Sequence, residues 1–345
     1  MTNTILGLDV GGAHLKAVLI NAEGKVLDAL QLACPLWRGL DQLAQTLAET
    51  ERTLISTPQQ YAVTMTGELA DIFPDRHTGV VQISDLLAQR YENLSFYAGR
   101  EYFVANHDIH RCSQDIASAN WLASASFVAS QIKSALFIDL GSTTCDLIPV
   151  HNGKAQNLGS SDAERLRYEE LVYAGVVRTP VMALAQRVAF AGEWSPLVAE
   201  HFATTADIYR LTGELETAYD QADTADGAGR GMEDSARRLA RMLGRDLQEA
   251  TLEQWVSLAY SFRQLQIDTL RQAVMRHYSR GLLESKAPII GAGAGKFLVR
   301  QLARQLACEY MDIDTYIAAD TPQLVEAAAV CFPAYAVAQL VRGDA

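Results

Sequence analysis

One short plan occurs twice in this chain: an apolar strand runs into an aspartate and then into a turn of small residues. Ile5-Leu6-Gly7-Leu8-Asp9-Val10-Gly11-Gly12 opens the sequence, and Leu136-Phe137-Ile138-Asp139-Leu140-Gly141-Ser142-Thr143-Thr144 repeats it. A third turn, Gly291-Ala292-Gly293-Ala294-Gly295, follows the apolar run Ala287 to Ile290. Glycine permits tight turns and close approach, so backbone N–H groups can converge on phosphate oxygens. An aspartate at a strand end can hold the magnesium that accompanies polyphosphate. Two matched units and a glycine turn predict an α/β chain of two related halves that grip a diphosphate or nucleotide in a cleft, with Asp9 and Asp139 facing each other across it.

The length of 345 residues leaves room for two domains with separate cores. A net charge of −12 without a basic run argues against a nucleic-acid surface. An anionic substrate must therefore be captured by local donors and metal. Cys34, Cys112, Cys145, Cys308 and Cys331 show neither CxxC nor zinc spacing, so buried reduced thiols in a cytoplasmic protein are expected. No segment has the roughly 20 uninterrupted apolar residues of a membrane span, and the first apolar stretch lacks the basic lead of a signal peptide.

Strands are predicted over 4–10, 15–21 and 25–33, then a helix over 39–55, a strand over 61–66, a strand over 101–105 and one helix over 115–131. The second half restarts with strands at 135–140 and 145–150. Residues 216–232 read as a loop, followed by helices over 232–249 and 252–280, the latter with Thr251 and Gln254 as a capping box. Beyond the third turn a helix is expected at 295–307, a strand at 309–313 and one terminal helix at 323–341. The similar starts of the halves suggest an internal duplication.

This layout resembles the acetate and sugar kinase, Hsp70 and actin superfamily. Gly7 to Lys16 looks like its first phosphate loop, Asp139 to Asp146 like its second, and Gly291 to Gly295 like its adenosine turn. The resemblance implies a two-domain actin-like fold. Its first domain would be 1–130 plus the C-terminal helix 323–345, and its second 131–322 with a helical insertion at about 160–280. A narrower resemblance rests on Thr64-Met65-Thr66-Gly67-Glu68, Asn120-Trp121, Glu170 to Pro180 with Arg178, Phe202 to Asp207 with Thr205, and Ala222 to Gly227. These are similar to the hydantoinase/oxoprolinase-like branch that includes tetrahydromethanopterin-linked C1-transfer proteins and the methanofuran-biosynthesis enzyme.

That resemblance implies an alkyltransferase of methanofuran or methylofuran biosynthesis. It would join a furanmethyl diphosphate to the phenol of a tyrosine- or glutamyl-tyramine-type acceptor, forming an aryl ether and releasing diphosphate with Mg2+. It assigns the metal to Asp9 and Asp139, catalysis to Glu68, Asp207 and Asp226, and substrate binding to Thr66, Asn120, Arg178 and Thr205. Anion binding falls to Gly11, Gly12, His14, Lys16, Gly141, Ser142, Thr143, Thr144, Gly291, Gly293 and Gly295. Read from the residues alone, each has a plainer alternative. Asp9 to Lys16 could be a simple hairpin, the hydroxyls after Asp139 could cap their own turn, and Glu68 could be an acid at a helix start. Asp146 could be a hairpin partner of Asp139, and Asp207, Asp223, Asp226 and Arg178 could be solvated loop residues. Arg237, Arg238, Arg241 and Arg245 are expected on a solvated helix face. The rivals in function are an ATP-dependent small-molecule kinase or oxoprolinase-type amidohydrolase, and a non-catalytic nucleotide-binding module. No nucleic-acid or membrane partner is expected; a homo-oligomer is allowed.

Overall fold

The computed structural model describes residues 4–99 and 103–344. The chain divides into two compact units: residues up to 133 with 152–155 and 313 onward, and residues 134–151 with 156–312. The first unit begins with β1 (Ile5–Val10), β2 (His14–Ile20) and β3 (Val26–Ala33), an antiparallel meander. Helix α1 (Leu40–Thr53) crosses to β4 (Gln60–Met65), which lies parallel to β1. Then come α2 (Arg76–Ala88), β5 (Leu94–Tyr97), β6 (Phe103–Val104), α3 (Ile109–Ile116) and α4 (Asn120–Gln131). The sheet order is β3-β2-β1-β4-β5-β6. Buried Leu6, Leu8, Val10, Val63, Met65 and Phe96 form part of its core with Leu43, Leu47 and Ile83 of the helices.

The second unit repeats the start. β7 (Ser134–Leu140) pairs antiparallel with β8 (Cys145–His151), and β13 (Ile289–Ala292) lies parallel to β7 as β4 does to β1. Between them lie β9 (Lys154–Ala155), α5 (Asp162–Arg167), β10 (Leu171–Val172) and the hairpin β11 (Arg187–Phe190) with β12 (Glu193–Pro196). Helices α6 (Thr205–Leu211), α7 (Met232–Arg241) and α8 (Leu252–Ser279) follow. Helix α9 (Lys296–Gln305) and β14 (Tyr310–Asp312) complete a sheet of order β10-β8-β7-β13-β14. The region 160–280 thus carries strands as well as helices.

Several boundaries differ from the sequence expectation for local reasons. The helix expected over 115–131 is two helices, because Ser118 takes a left-handed φ of 52° that no helix continues through. The helix expected over 232–249 stops at Arg241, and Gly244 at φ 66° turns the chain. The terminal helix is two, α10 (Pro322–Val330) and α11 (Phe332–Asp344), bent by 97°. Helix α2 and strand β5 were not anticipated, α2 having little amphipathic pattern to betray it. Of the strand expected at 101–105, residues 101–102 lie outside the described residues and β6 covers 103–104. The capping box of α8 forms as read, with Thr251 Oγ1 accepting from the Gln254 N–H at 3.3 Å and Gln254 Oε1 accepting from the Thr251 N–H at 2.9 Å.

Helix α11 packs on β1, β2, β4 and α4, all within the first unit. Gly7 in the middle of β1 makes this possible, since a Cβ there would collide with the Ala334 carbonyl. Ala334, Tyr335, Val337 and Ala338 are correspondingly buried. Among the described residues no single helix is long and apolar enough to cross a membrane; only the bent pair α10–α11 passes jointly on length and composition.

In the second unit α8 buries His277, whose Nε2 lies 2.9 Å from the Glu169 carbonyl. Burial pushes its pKa down, with Arg276 and Arg280 adding to the effect. The folded chain therefore holds His277 neutral, whereas the unfolded chain protonates it below about pH 6.5. This contribution to stability is present above that pH and is lost as pH falls through the lower folded value. The melting temperature should drop on acidification below about pH 6.5, and His277→Gln should flatten that part of the profile. Superimposable pH profiles for wild type and variant would contradict the assignment.

Candidate functional site

The two Asp-turns are built alike. In the first unit the Gly11 N–H donates to the His14 carbonyl at 3.0 Å; in the second the Gly141 N–H donates to the Thr144 carbonyl at 2.8 Å. Each bond joins the second and fifth residues after the aspartate. The residue seven after the aspartate is its cross-strand partner in both, Lys16 opposite Asp9 and Asp146 opposite Asp139. Two carboxylates directly opposite would repel, and Asp146 is instead paired with Arg165 at 2.5 Å.

A second segment fastens each turn from behind. The Leu36 and Cys34 N–H groups bond the Gly12 and Ala13 carbonyls at 3.0 and 2.8 Å. Behind the second turn, Val176 bonds the Gly141 carbonyl, Val177 and Arg178 share that of Ser142, and Gly175 bonds that of Thr143, all at 2.9–3.1 Å. In a trans peptide the N–H points opposite to the carbonyl. Fixing the carbonyls of 141, 142 and 143 therefore turns the N–H groups of Ser142, Thr143 and Thr144 to the other side, where none donates to a protein acceptor among the described residues. Three consecutive unspent N–H groups with hydroxyl neighbours make an anion-binding concavity. Arg178 is exposed and its guanidinium has no hydrogen bond or ion pair among the described residues. Gly175 is obligatory, because a Cβ would collide with the backbone of Ser142 and Thr143.

In the first unit the polar groups cluster around Asp9. Asp9 is only 4% exposed; burial raises its pKa, opposed by Lys16 at 4.0 Å and a hydrogen bond from the Asn120 side chain. Its parallel neighbour across β4 is Thr64. Gly67, whose Cβ position lies 3.1 and 3.4 Å from the Val10 and Gly11 carbonyls, brings Glu68 to the same region. Glu68 is 2% exposed, accepts from Ser118 Oγ at 2.7 Å, and has its pKa raised mainly by burial. Asp9 Oδ1, Thr64 Oγ1 and Glu68 Oε2 are buried without a hydrogen-bond partner among the described residues. Three such atoms in one region call for a bound water, ion or ligand. Thr66 sits beside Gly11, its N–H bonded to the Val10 carbonyl at 2.9 Å. His14 begins β2 at the end of the turn.

Magnesium fits this chemistry. It is commonly held by one or two carboxylates with waters and substrate phosphates completing its shell, and Asp9 Oδ1 is an unspent buried carboxylate oxygen. No group of three or more His, Cys, Asp or Glu residues poised for a metal occurs among the described residues, so an all-protein metal cage is not what is offered.

Other expected site residues are placed differently. Asp207 is 1% exposed: Arg238 approaches it at 2.7 Å and Arg210 at 2.9 Å, and it accepts the Thr204 N–H at the start of α6. Asp226 pairs with Arg238 at 2.9 Å, tying the loop before α7 to that helix. Both carboxylates are occupied in an ion-pair network, and Arg238, expected on a solvated face, is its fully buried centre. Thr205 is buried with its hydroxyl given to the Gly175 carbonyl at 2.9 Å, so it supports the anion turn from inside. The glycine turn is accounted for by the chain itself. Cβ atoms at Gly291, Gly293 and Gly295 would meet Tyr310, the Asp139 side chain with Leu140, and Leu140 with Val176. Sequence reading missed Thr64, Ser118, Gly175 and Gln266; the left-handed Ser118 and the buried glutamine carry no signal without the fold.

The hydantoinase/oxoprolinase family model matches residues 59–341. The chain belongs to the hydantoinase/oxoprolinase family. It is 32% identical over 273 residues, 78% of this chain and 80% of the relative, to (4-{4-[2-(gamma-L-glutamylamino)ethyl]phenoxymethyl}furan-2-yl)methanamine synthase of Methanocaldococcus jannaschii. The synthase of the same name from Methanococcus vannielii is 29% identical over 183 residues, 53% of this chain and 81% of that one. The nucleotide-free structure of an ATP-dependent acetone carboxylase shares the fold, with a TM-score of 0.59 at 10% identity, covering 98% of this chain and 70% of that one. The fold is the α/β, actin-like one that the paired turns imply.

The environments separate carboxylates with an unpartnered oxygen from those occupied in ion pairs. Asp9 has a folded pKa above its unfolded value, so its favourable contribution exists at low pH and is lost as pH rises through the folded value. Asp9→Asn should therefore leave the fold as stable or more stable at neutral pH. Asp207→Ala removes the carboxylate shared by Arg238 and Arg210, leaving the fully buried Arg238 with Asp226 and Arg210 with Asp220, and should destabilise by about 3 kcal/mol, the lower end for breaking a buried pair. Urea unfolding of both variants checks this; equal and large losses would remove the distinction.

Proposed function

We propose that this chain is an alkyltransferase that joins a furanmethyl diphosphate to a phenolic acceptor through an aryl ether. The observation that carries it is the 32% identity over most of the chain to a synthase whose product name contains that phenoxymethyl-furan linkage. The two fastened turns and the buried orphans around Asp9 support it, because the reaction needs an anion clamp and a water-poor acid–base site.

The furan oxygen donates electron density to the adjoining CH2, so the C–O bond to diphosphate can break with its electron pair leaving on diphosphate. The phenol oxygen supplies the pair for the new C–O bond, and its proton passes to a base. Magnesium, when bound, would neutralise the leaving diphosphate; Asp9 and Asp139 are the carboxylates we assign to it. The N–H groups of Ser142, Thr143 and Thr144 would hold diphosphate oxygens, with Arg178 as a further donor. Burial raises the Asp9 pKa, and Lys16 and Asn120 oppose that rise by favouring the charged form. Glu68 Oε2 is the base we assign, since it is unpartnered and burial strengthens its hold on a proton. The nucleotide-using rivals rest on residues 291–295, whose glycines the chain's own packing already demands. Five free cysteines agree with a cytoplasmic setting.

Purified protein given an (aminomethyl)furanmethyl diphosphate, candidate phenols and magnesium should release diphosphate and ether in equal amounts by mass spectrometry, with or without ATP. Ether formation only with matching ATP consumption would overturn the proposal. Glu68→Gln should retain diphosphate binding and slow ether formation by about 10²–10⁴; full activity would eliminate it as the base.

A further inference from the structure

Gln266 is fully buried in the middle of α8, where a helix facing an apolar core ordinarily carries an aliphatic residue. Its amide is fully engaged. Nε2 donates to the Ala174 carbonyl at 2.6 Å and the Gly175 carbonyl at 3.1 Å, and Oε1 accepts from the Tyr209 hydroxyl at 2.7 Å. The Gly175 carbonyl also accepts from Thr205 Oγ1 at 2.9 Å. Two helices thus grip the carbonyls of residues 174–175 through two buried side chains, Gln266 and Thr205, with Tyr209 orienting the glutamine. The same segment uses its own N–H groups, from Gly175 to Arg178, to fasten the carbonyls of the Gly141–Thr143 turn.

We infer that Gln266, oriented by Tyr209, is a positioning residue for the anion turn: it fixes the 174–178 segment, which in turn holds the Ser142, Thr143 and Thr144 N–H groups aimed at the diphosphate and sets the backbone from which Arg178 projects. A rigid apolar contact could pack the same space but would leave the Ala174 carbonyl and the Tyr209 phenol unsatisfied and the Gly175 carbonyl with Thr205 alone. The orientation is specific: only an amide donates to the two carbonyls while accepting from the tyrosine. A glutamate of the same shape, when ionised, has no donor for the two carbonyls. This inference rests on the diphosphate reading above.

The test uses calorimetric titration of inorganic diphosphate with magnesium into the full chain, and hydrogen exchange of the backbone amides. In Gln266→Leu, with cooperative melting retained, the N–H groups of Gly175 to Arg178 should exchange faster. Diphosphate affinity should fall about tenfold, on the scale of one or two net hydrogen bonds. KM for the furanmethyl diphosphate should rise more than kcat falls. Tyr209→Phe deletes one hydroxyl, keeps the ring, and should give a smaller loss of the same kind if Gln266→Leu does not fold. The double variant should lose less than the sum of the two. Wild-type affinity and unchanged exchange in the folded variants would overturn the inference while leaving the proposed function standing. Absence of diphosphate binding in the wild type would bring down the diphosphate reading, and the inference with it.

Discussion

The direction of three unspent N–H groups in the second unit depends on where three carbonyls point. Because a peptide is planar and trans, the bonds from residues 175–178 to the carbonyls of 141–143 decide the direction of the next three N–H groups. The glycines follow from that constraint. Gly175 lets the fastening segment touch the turn, and Gly293 and Gly295 let β13 and α9 close against Asp139 and Leu140. The first unit solves the same problem with Cys34 and Leu36 behind Gly12 and Ala13. Equivalent hairpin bonds, equivalent cross-strand partners and the same parallel third strand make the two units structural repeats.

Several unspent polar atoms gather around Asp9, where folding alone gains nothing from them. Asp9, Thr64 and Glu68 leave buried polar atoms without partners among the described residues, each an energetic liability in the folded chain. Their supports, Lys16 and Asn120 for Asp9 and the left-handed Ser118 for Glu68, lie on separate elements that meet at the end of β1 and β4. The Asp207–Arg238–Asp226 network contrasts with them: every carboxylate is matched to a guanidinium, which suits a structural tie holding α6, α7 and the loop between them.

The aspartate turns, most strands and the capping of α8 were legible because each is a local pattern of a few residues. The division of labour among carboxylates was not. Thr-Thr-Ala-Asp reads equally well as a ligand loop or as the N-terminus of a helix whose acid meets a distant arginine, and Arg238 lies 31 residues from Asp207. Nor does an amphipathic pattern reveal that one arginine of four faces inward. Gln266 was invisible for the same reason: its partners are 57, 91 and 92 residues away. The breaks at Ser118 and between α10 and α11 depend on backbone conformations that ordinary side chains rarely announce.

Ether synthesis from a furanmethyl diphosphate requires cleavage of the C–O bond, whereas phosphoryl transfer would cleave P–O. Furanmethyl diphosphate carrying ¹⁸O at the bridging position between carbon and phosphorus tests it directly by mass spectrometry. The label should appear wholly in the released diphosphate, with the ether oxygen derived from the phenol. Label retained in the furan product would place the break between phosphorus and oxygen and contradict alkyl transfer.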